Sequence, residues 1–243
     1  LPLAAWPWHL LVGFAVFFSH PHLGRATPRA DFSGRQGLIH RVRRAEPPPT
    51  LGRLVVAYAA DREGKQVGDG ECFSLAAQAL THAGARTAYA YGEVTPDADY
   101  VWGHPVGLGR LQPGDVLQFR NFRIVTRVTT LTQTADGVVS RSESVAVEER
   151  DHHTAIVEQA QGDTVVVLEQ NVDPAGRVVQ RNRIVLGNHV ADQEDPAHAG
   201  RVLTEVSVEG DVRAYHPEAA SAAELAEAAA AMPGDGAGGI SSR

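Results

Sequence analysis

The apolar pattern of this chain changes period once, near Gly84, and that change narrows the choice of fold more than any other feature. Before it, Cys72, Leu75, Ala76, Ala79, Leu80 and Ala83 fall at offsets of 0, 3, 4, 7, 8 and 11. Such spacing marks one face of a helix, and Gly84 supplies its stop. An earlier helix is capped by Thr50, turns Leu54, Val55 and Tyr58 inward and stops at Gly64. After Gly84 the chain reads as extended segments and turns. "DYVWGHPV" is extended, and "LQPGDVLQF" is a Pro-Gly turn feeding a strand. "FRIVTRVTTLTQ" and "SRSESVAVEER" flank "TADGV", whose Asp136-Gly137 pair signals a hairpin. "HTAIVEQ", "TVVVLEQNV" and "RVVQRNRIVL" are three further strands, the last two joined by "DPAG", and "VLTEVSVEGDVRAYH" holds a final one. Helices first and antiparallel strands later predict an α+β fold, with the helices packed on a small curved sheet.

This patterned region, residues 50–216, is one domain with extensions at both ends. Leu1 to Phe18 carries no Asp, Glu, Lys or Arg, and "GRA" at Gly24 to Ala26 offers a small-x-small cleavage site. Residues 1–26 are therefore expected to be a signal peptide or a membrane anchor, with a secreted or cell-envelope address. Pro2 and Pro7 weaken that stretch as a helix, so the reading that it is neither stays open. Residues 27–49 mix Arg, Gly and Pro and read as an extended linker. Residues 217–243 read as an Ala/Gly-rich tail, with a short helix within Ala219 to Ala231. The net charge of −7 argues against a nucleic-acid partner.

Cys72 is the chain's only cysteine, which rules out an intramolecular disulfide. Its surroundings, "GDGECFSLAAQAL", suit a nucleophile. Cys72 takes the first inward position of the helix, where unpaired backbone N–H groups favour an anion such as a thiolate. Gly68 and Gly70 leave room for a substrate. Glu71 would oppose the thiolate if it faced the sulfur, and it is expected to face solvent. A thiol nucleophile needs a base and a group to orient that base. His153 opens the strand "HTAIV" and is the candidate base, while His152 should point to the opposite face. A turn near Gly162-Asp163 aligns His153 with the far end of the next strand, because residues 153 and 171 both lie nine positions from residue 162. Glu169 and Asn171 occupy that end, two apart and so on one face of a strand, and either can hold the imidazole in its useful tautomer. No metal or other cofactor is expected. The acids in "ADREGKQVGDGE" are scattered, and His152, His153, Glu148 and Glu149 find no second cluster with ligand spacing.

In order, "GDGECFSLAAQAL", "YVWG", "LQPGDVLQF", "HTAIVEQ" and "VVVLEQN" resemble the CHAP group of papain-like, NlpC-related cysteine amidases and peptidases, over roughly Leu54 to Leu186. The resemblance implies a papain-like CHAP fold and a cysteine amidase or peptidase. It implies Cys72 as nucleophile, His153 as base, Glu169 as orienter of the imidazole and Asn171 as a polar support. It also implies a peptide or amide substrate, for which peptidoglycan peptides are the common case in that group and small amides another. Residues 121–150 depart from the pattern as an added hairpin. The acidic chain gains no steering toward anionic wall glycans, and no wall-targeting module accompanies the domain. A papain-like scaffold used as a non-catalytic binding module, and a protein or small-amide deamidase, are the alternatives.

Overall fold

The computed structural model describes residues 48–133, 136–137, 139–195 and 200–232. The expected signal or anchor, nearly all of the linker and the closing "PGDGAGGISSR" lie outside them. No helix among the described residues is long and apolar enough to cross a membrane.

Two helices open the fold. α1 (Leu51–Ala60) is capped by Thr50, whose side chain accepts from the Arg53 N–H at 3.4 Å, and it buries Val55, Tyr58 and Ala59. It ends one turn earlier than expected. Gly64, with φ of 77°, lies in the following turn, where its N–H donates to Val179 O at 2.8 Å. α2 (Cys72–Ala83) starts at the cysteine and ends against Gly84 in the left-handed conformation. It buries Ser74 and Ala77 as well as the expected stripe.

The strands are β1 (His104–Val106), β2 (Val116–Gln133), β3 (Val139–Gln161), β4 (Thr164–Glu169), β5 (Gln180–Val185), β6 (His189–Asp195) and β7 (Gly200–His216). They form one antiparallel sheet in the order β1-β7-β2-β3-β4-β5, with β6 also paired to β7. The α+β class is as expected, but the sheet is larger than predicted. The segments "LQPGDVLQF" and "FRIVTRVTTLTQ" join in β2, and "SRSESVAVEER" joins "HTAIVEQ" in β3. The hairpin is thus an outward continuation of two core strands rather than a separate unit. "DYVWGHPV" contributes only the three residues of β1, because Trp102 turns into the core and donates from Nε1 to Gln118 Oε1 at 3.2 Å. β6 was not foreseen. "HVADQED" lacks an apolar alternation and is held by backbone pairing to β7.

Core side chains cover both faces of the inner sheet. On one face Val55, Leu75, Leu80 and Trp102 pack with Ile156 and Leu168. On the other Leu117, Phe119, Phe122, Val157, Val167 and Ile184 pack together. Residues 217–232, read as part of the tail, are tied into the fold. Arg86 N–H donates to Glu218 O, and α3 (Ala222–Ala231) is capped by a reciprocal Ser221–Glu224 box, buries Ala228 and ion-pairs Glu224 with Arg86 at 3.0 Å.

A break divides the sheet into an inner and an outer half. Asn121 has φ of 49°, Gly210 has φ of 88°, and the β2–β7 register shifts between Arg120 and Arg123. A Cβ on Gly210 would stand 2.1 Å from Asn121 O, so this crossing requires glycine. Outward of it, every residue of β3 from Val139 to Glu149 is exposed; Arg150 is the first buried one.

Candidate active site

The loop that delivers Cys72 is bound at several points. Gly68 and Gly70 have φ of 56° and 88°, and a Cβ on Gly70 would meet the stem of Arg177 at 2.8 Å. Asp69 Oδ1 accepts from the Glu71 N–H at 3.0 Å and from Ser74 Oγ at 2.6 Å, which ties the loop to the first turn of α2. Gln170, fully buried, holds the loop from the β4 side. Its Oε1 accepts from the Val67 N–H at 3.1 Å, and its Nε2 donates to Val67 O at 2.9 Å and Glu71 O at 2.7 Å. Cys72 follows as the first residue of α2, a free, half-buried thiol. Glu71 does not stand free in solvent. Its carboxylate pairs with Arg177 at 2.9 Å and accepts from Asn171 Nδ2 at 2.7 Å.

His153 sits against the thiol from β3. Nε2–H donates to Glu169 Oε2 at 2.9 Å, which leaves Nδ1 as the nitrogen available to sulfur. Burial alone would lower the imidazole's pKa. Hydrogen bonding with Cys72 and with Glu169, and then the charges of both, outweigh burial and raise it to about 9. His152 points the other way, as alternation requires. Its Nε2–H donates to Ala98 O at 2.8 Å, and its ring lies 5.1 Å from that of Tyr100.

Glu169 is completely buried, and four donors fill its two oxygens. Oε1 accepts from Arg150 Nη2 at 2.7 Å and Asn182 Nδ2 at 2.8 Å. Oε2 accepts from Arg150 Nε at 3.0 Å and from His153. Burial opposes its ionisation, but the hydrogen bonds from His153 and Arg150 and the charges behind them lower its pKa to about 2. The carboxylate is therefore an acceptor only, fixed in place and negative.

An aromatic cluster gathers on Phe73, the residue after Cys72. The Phe73 ring lies 5.6 Å from Tyr89, 4.8 Å from Tyr100 and 5.1 Å from Trp102. Burial and then the charge of Cys72 raise the Tyr100 pKa, and its hydroxyl donates to Thr95 O at 2.8 Å. Among the described residues no three His, Cys, Asp or Glu side chains come together as metal ligands.

Of the four residues singled out from the sequence, the structure brings Cys72, His153 and Glu169 together and sets Asn171 apart. Beyond a bulge between Val157 and Gln159 the β3–β4 register sets Ile156 opposite Leu168, as a turn centred on residue 162 predicts; nearer the turn Gln161 lies opposite Thr164, one residue off that count. Extended outward, it puts residue 171 across from 153. The strand stops at Glu169, however, and Asn171 has φ of 63°, so its side chain reaches Glu71 rather than the imidazole. Glu169 reaches His153 diagonally instead. Sequence reasoning missed Arg150, Gln170 and Asn182. Gln170 had no signal beyond lying between two candidates, Asn182 had none, and Arg150 was assigned to the added hairpin.

Three comparisons bear on this arrangement. A solved structure described as that of Ly7917 with the hydrolyzing product of MDP aligns over 70% of this chain and 93% of its own, at 18% identity. Its TM-score of 0.31 is too low to carry an argument. Altered inheritance of mitochondria protein 3 of Debaryomyces hansenii is 27% identical over 150 residues, 57% of this chain. The chain spans 15% of the length of that curated relative. Residues 48–190 match a family model described as the AIM3/BBC1 cysteine proteinase-fold domain. The narrower CHAP resemblance rests on motif order alone. With more than half of its length matched, the chain belongs to the AIM3/BBC1 cysteine proteinase-fold family.

Proposed function

We propose that the protein is a cysteine-nucleophile amide hydrolase that works through a thioacyl intermediate. The observation that carries this reading is the convergence of a half-buried thiol at a helix start, an imidazole beside it and a buried carboxylate on the far ring nitrogen. His153 Nδ1 takes the Cys72 proton, and the sulfur attacks the amide carbonyl carbon. The N–H of Cys72, at the start of α2, donates to the developing oxyanion. The tetrahedral intermediate collapses as His153 returns its proton to the leaving nitrogen, which departs as an amine. His153 then takes a proton from water, the hydroxyl adds to the thioester carbonyl, and the acid is released with the thiol restored. Glu169 keeps Nε2 protonated throughout and so keeps Nδ1 turned to sulfur.

The substrate class is a peptide or protein amide, with the half-buried rings of Phe73, next to Cys72 in the chain, and Tyr89 offered to an apolar acyl side chain. The binding-module reading is favoured by one feature: Arg177 lies across Gly70 and pairs with Glu71, covering one side of the approach to the thiol. A panel of peptide amides, protein substrates and purified cell walls, incubated with the parent protein and with Cys72→Ala, separates the two. Amide cleavage by the parent and none by a folded Cys72→Ala is expected. Cleavage that persists in the variant overturns the assignment.

A further inference from the structure

We propose that Arg150 is a positioning residue that acts on His153 through Glu169, fixing the carboxylate's orientation and offsetting its charge. The inference rests on the reading that Cys72 and His153 are the working pair. Arg150 supplies two of the four donors on Glu169, through Nε and Nη2 in a parallel fork. Its side chain is 3% exposed, so this charge was taken out of water to reach a partner that is itself fully buried.

Arg150 and His153 are three positions apart on β3 and still share Glu169. Strict strand alternation would send them to opposite faces. Phe122, opposite Arg150, packs with Phe119, opposite His153, although they too are three apart; the left-handed Asn121 lies between them. The break in the sheet therefore turns Arg150 to the catalytic carboxylate.

The charge arithmetic gives this placement a chemical meaning. With Arg150 present, the buried Arg–Glu pair is neutral whether or not the imidazole carries its proton. Without it, an unopposed carboxylate would hold the imidazolium more strongly, and His153 would release its proton less readily to a leaving group. The groups facing the pair are Cys72 from α2, Glu169 from β4, Asn182 from β5 and the Phe119 ring from β2. Glu148 reaches only the outer nitrogen of Arg150, at 3.4 Å. A lysine could replace the charge but could not span both oxygens.

The test is an NMR titration of the His153 imidazole in the full chain, assigned with His153→Gln, together with the rate of Cys72 alkylation by iodoacetamide across pH. Arg150→Met is expected to raise the His153 midpoint by at least about half a pH unit, as removal of a nearby positive charge requires. Arg150→Lys is expected to keep the midpoint within about 0.3 of the parent while slowing alkylation several-fold, since charge is retained and the fork is lost. A folded Arg150→Met with an unmoved midpoint overturns the proposal. If Arg150→Met does not fold, Arg150→Lys decides: a parental alkylation rate overturns it. A parent protein whose Cys72 resists alkylation while His153 titrates and responds to Arg150→Met refutes the enzyme reading instead and leaves the Arg150 coupling standing.

Discussion

Glu149 and Arg150 are neighbours on β3 at the break in the sheet, and each makes an arginine–glutamate pair, one in water and one buried. Glu149 meets Arg123 across the hairpin at 3.0 Å, with side chains 57% and 41% exposed. Arg150 meets Glu169 at 2.7 Å, with both side chains out of solvent. The chemistry and distances are nearly the same, and the environment differs. In the outer half water screens the ions and solvates each when they part, so the pair contributes little. At the buried pair neither ion can turn to water, so each depends on the other. Contact distance alone would rank the two pairs together; burial separates a decoration of the surface from a constraint on the site.

The strongest challenge to that distinction is Glu169→Ala. It strips four donors of their acceptor and leaves the buried Arg150 with only the exposed Glu148 beside its outer nitrogen, so urea unfolding is expected to show a loss of about 3–5 kcal/mol. A loss below about 1 kcal/mol would mean that the buried pair behaves like the surface one.

A second effect is read through pH. His153 is raised from the ordinary 6.5 to about 9, so its contribution is complete below about pH 6.5 and fades as pH rises through 9. Glu169 is lowered from 4.5 to about 2, so its contribution is complete above about pH 4.5 and fades as pH falls toward 2. Stability is expected to be highest between these limits, and to fall above pH 7 by up to about 1.4 kcal/mol per pH unit for this one proton. Cys72 is the first contributor to the upward shift of His153, so in Cys72→Ala the alkaline decline should end at lower pH and be smaller in total. Denaturation midpoints of the parent and Cys72→Ala from about pH 2 to 10 check both limbs.

The smallest effect belongs to the outer half. Arg123→Ala and Glu149→Ala are each expected to cost less than about 1 kcal/mol, and the double variant little more, with the difference shrinking further in high salt. A double-mutant coupling near that of the buried pair would erase the contrast.

How much of this was legible in the residues follows the same divide. Helix α2 and its cysteine could be read to the residue because a 3.6 period and a terminal glycine act locally. The His153–Glu169 encounter was readable because a short turn sets the pairing of both strands to within one residue, and a bulge between Val157 and Gln159 makes up the difference. Asn171 was placed by extending that alternation past the end of β4, where a left-handed residue cancels it. Arg150 was hidden for the opposite reason. Alternation counted back from His153 assigns it to the wrong face, and the break that corrects this depends on Asn121 meeting Gly210, residues 89 positions apart. Such a contact has no local signature. The acidic β6 was invisible because backbone pairing and an Arg201–Asp192 ion pair, not an apolar pattern, recruit it.

Glu169 and Gln170 are consecutive, yet they serve the two halves of the site: one grips the imidazole, the other the loop that carries the sulfur. A single peptide unit is therefore the common bolt between base and nucleophile. When β4 shifts along its neighbours, both are carried with it, so the spacing on which proton transfer depends travels as one rigid jaw. Breathing of the surrounding sheet would then alter access to the cleft before it disturbed the alignment inside.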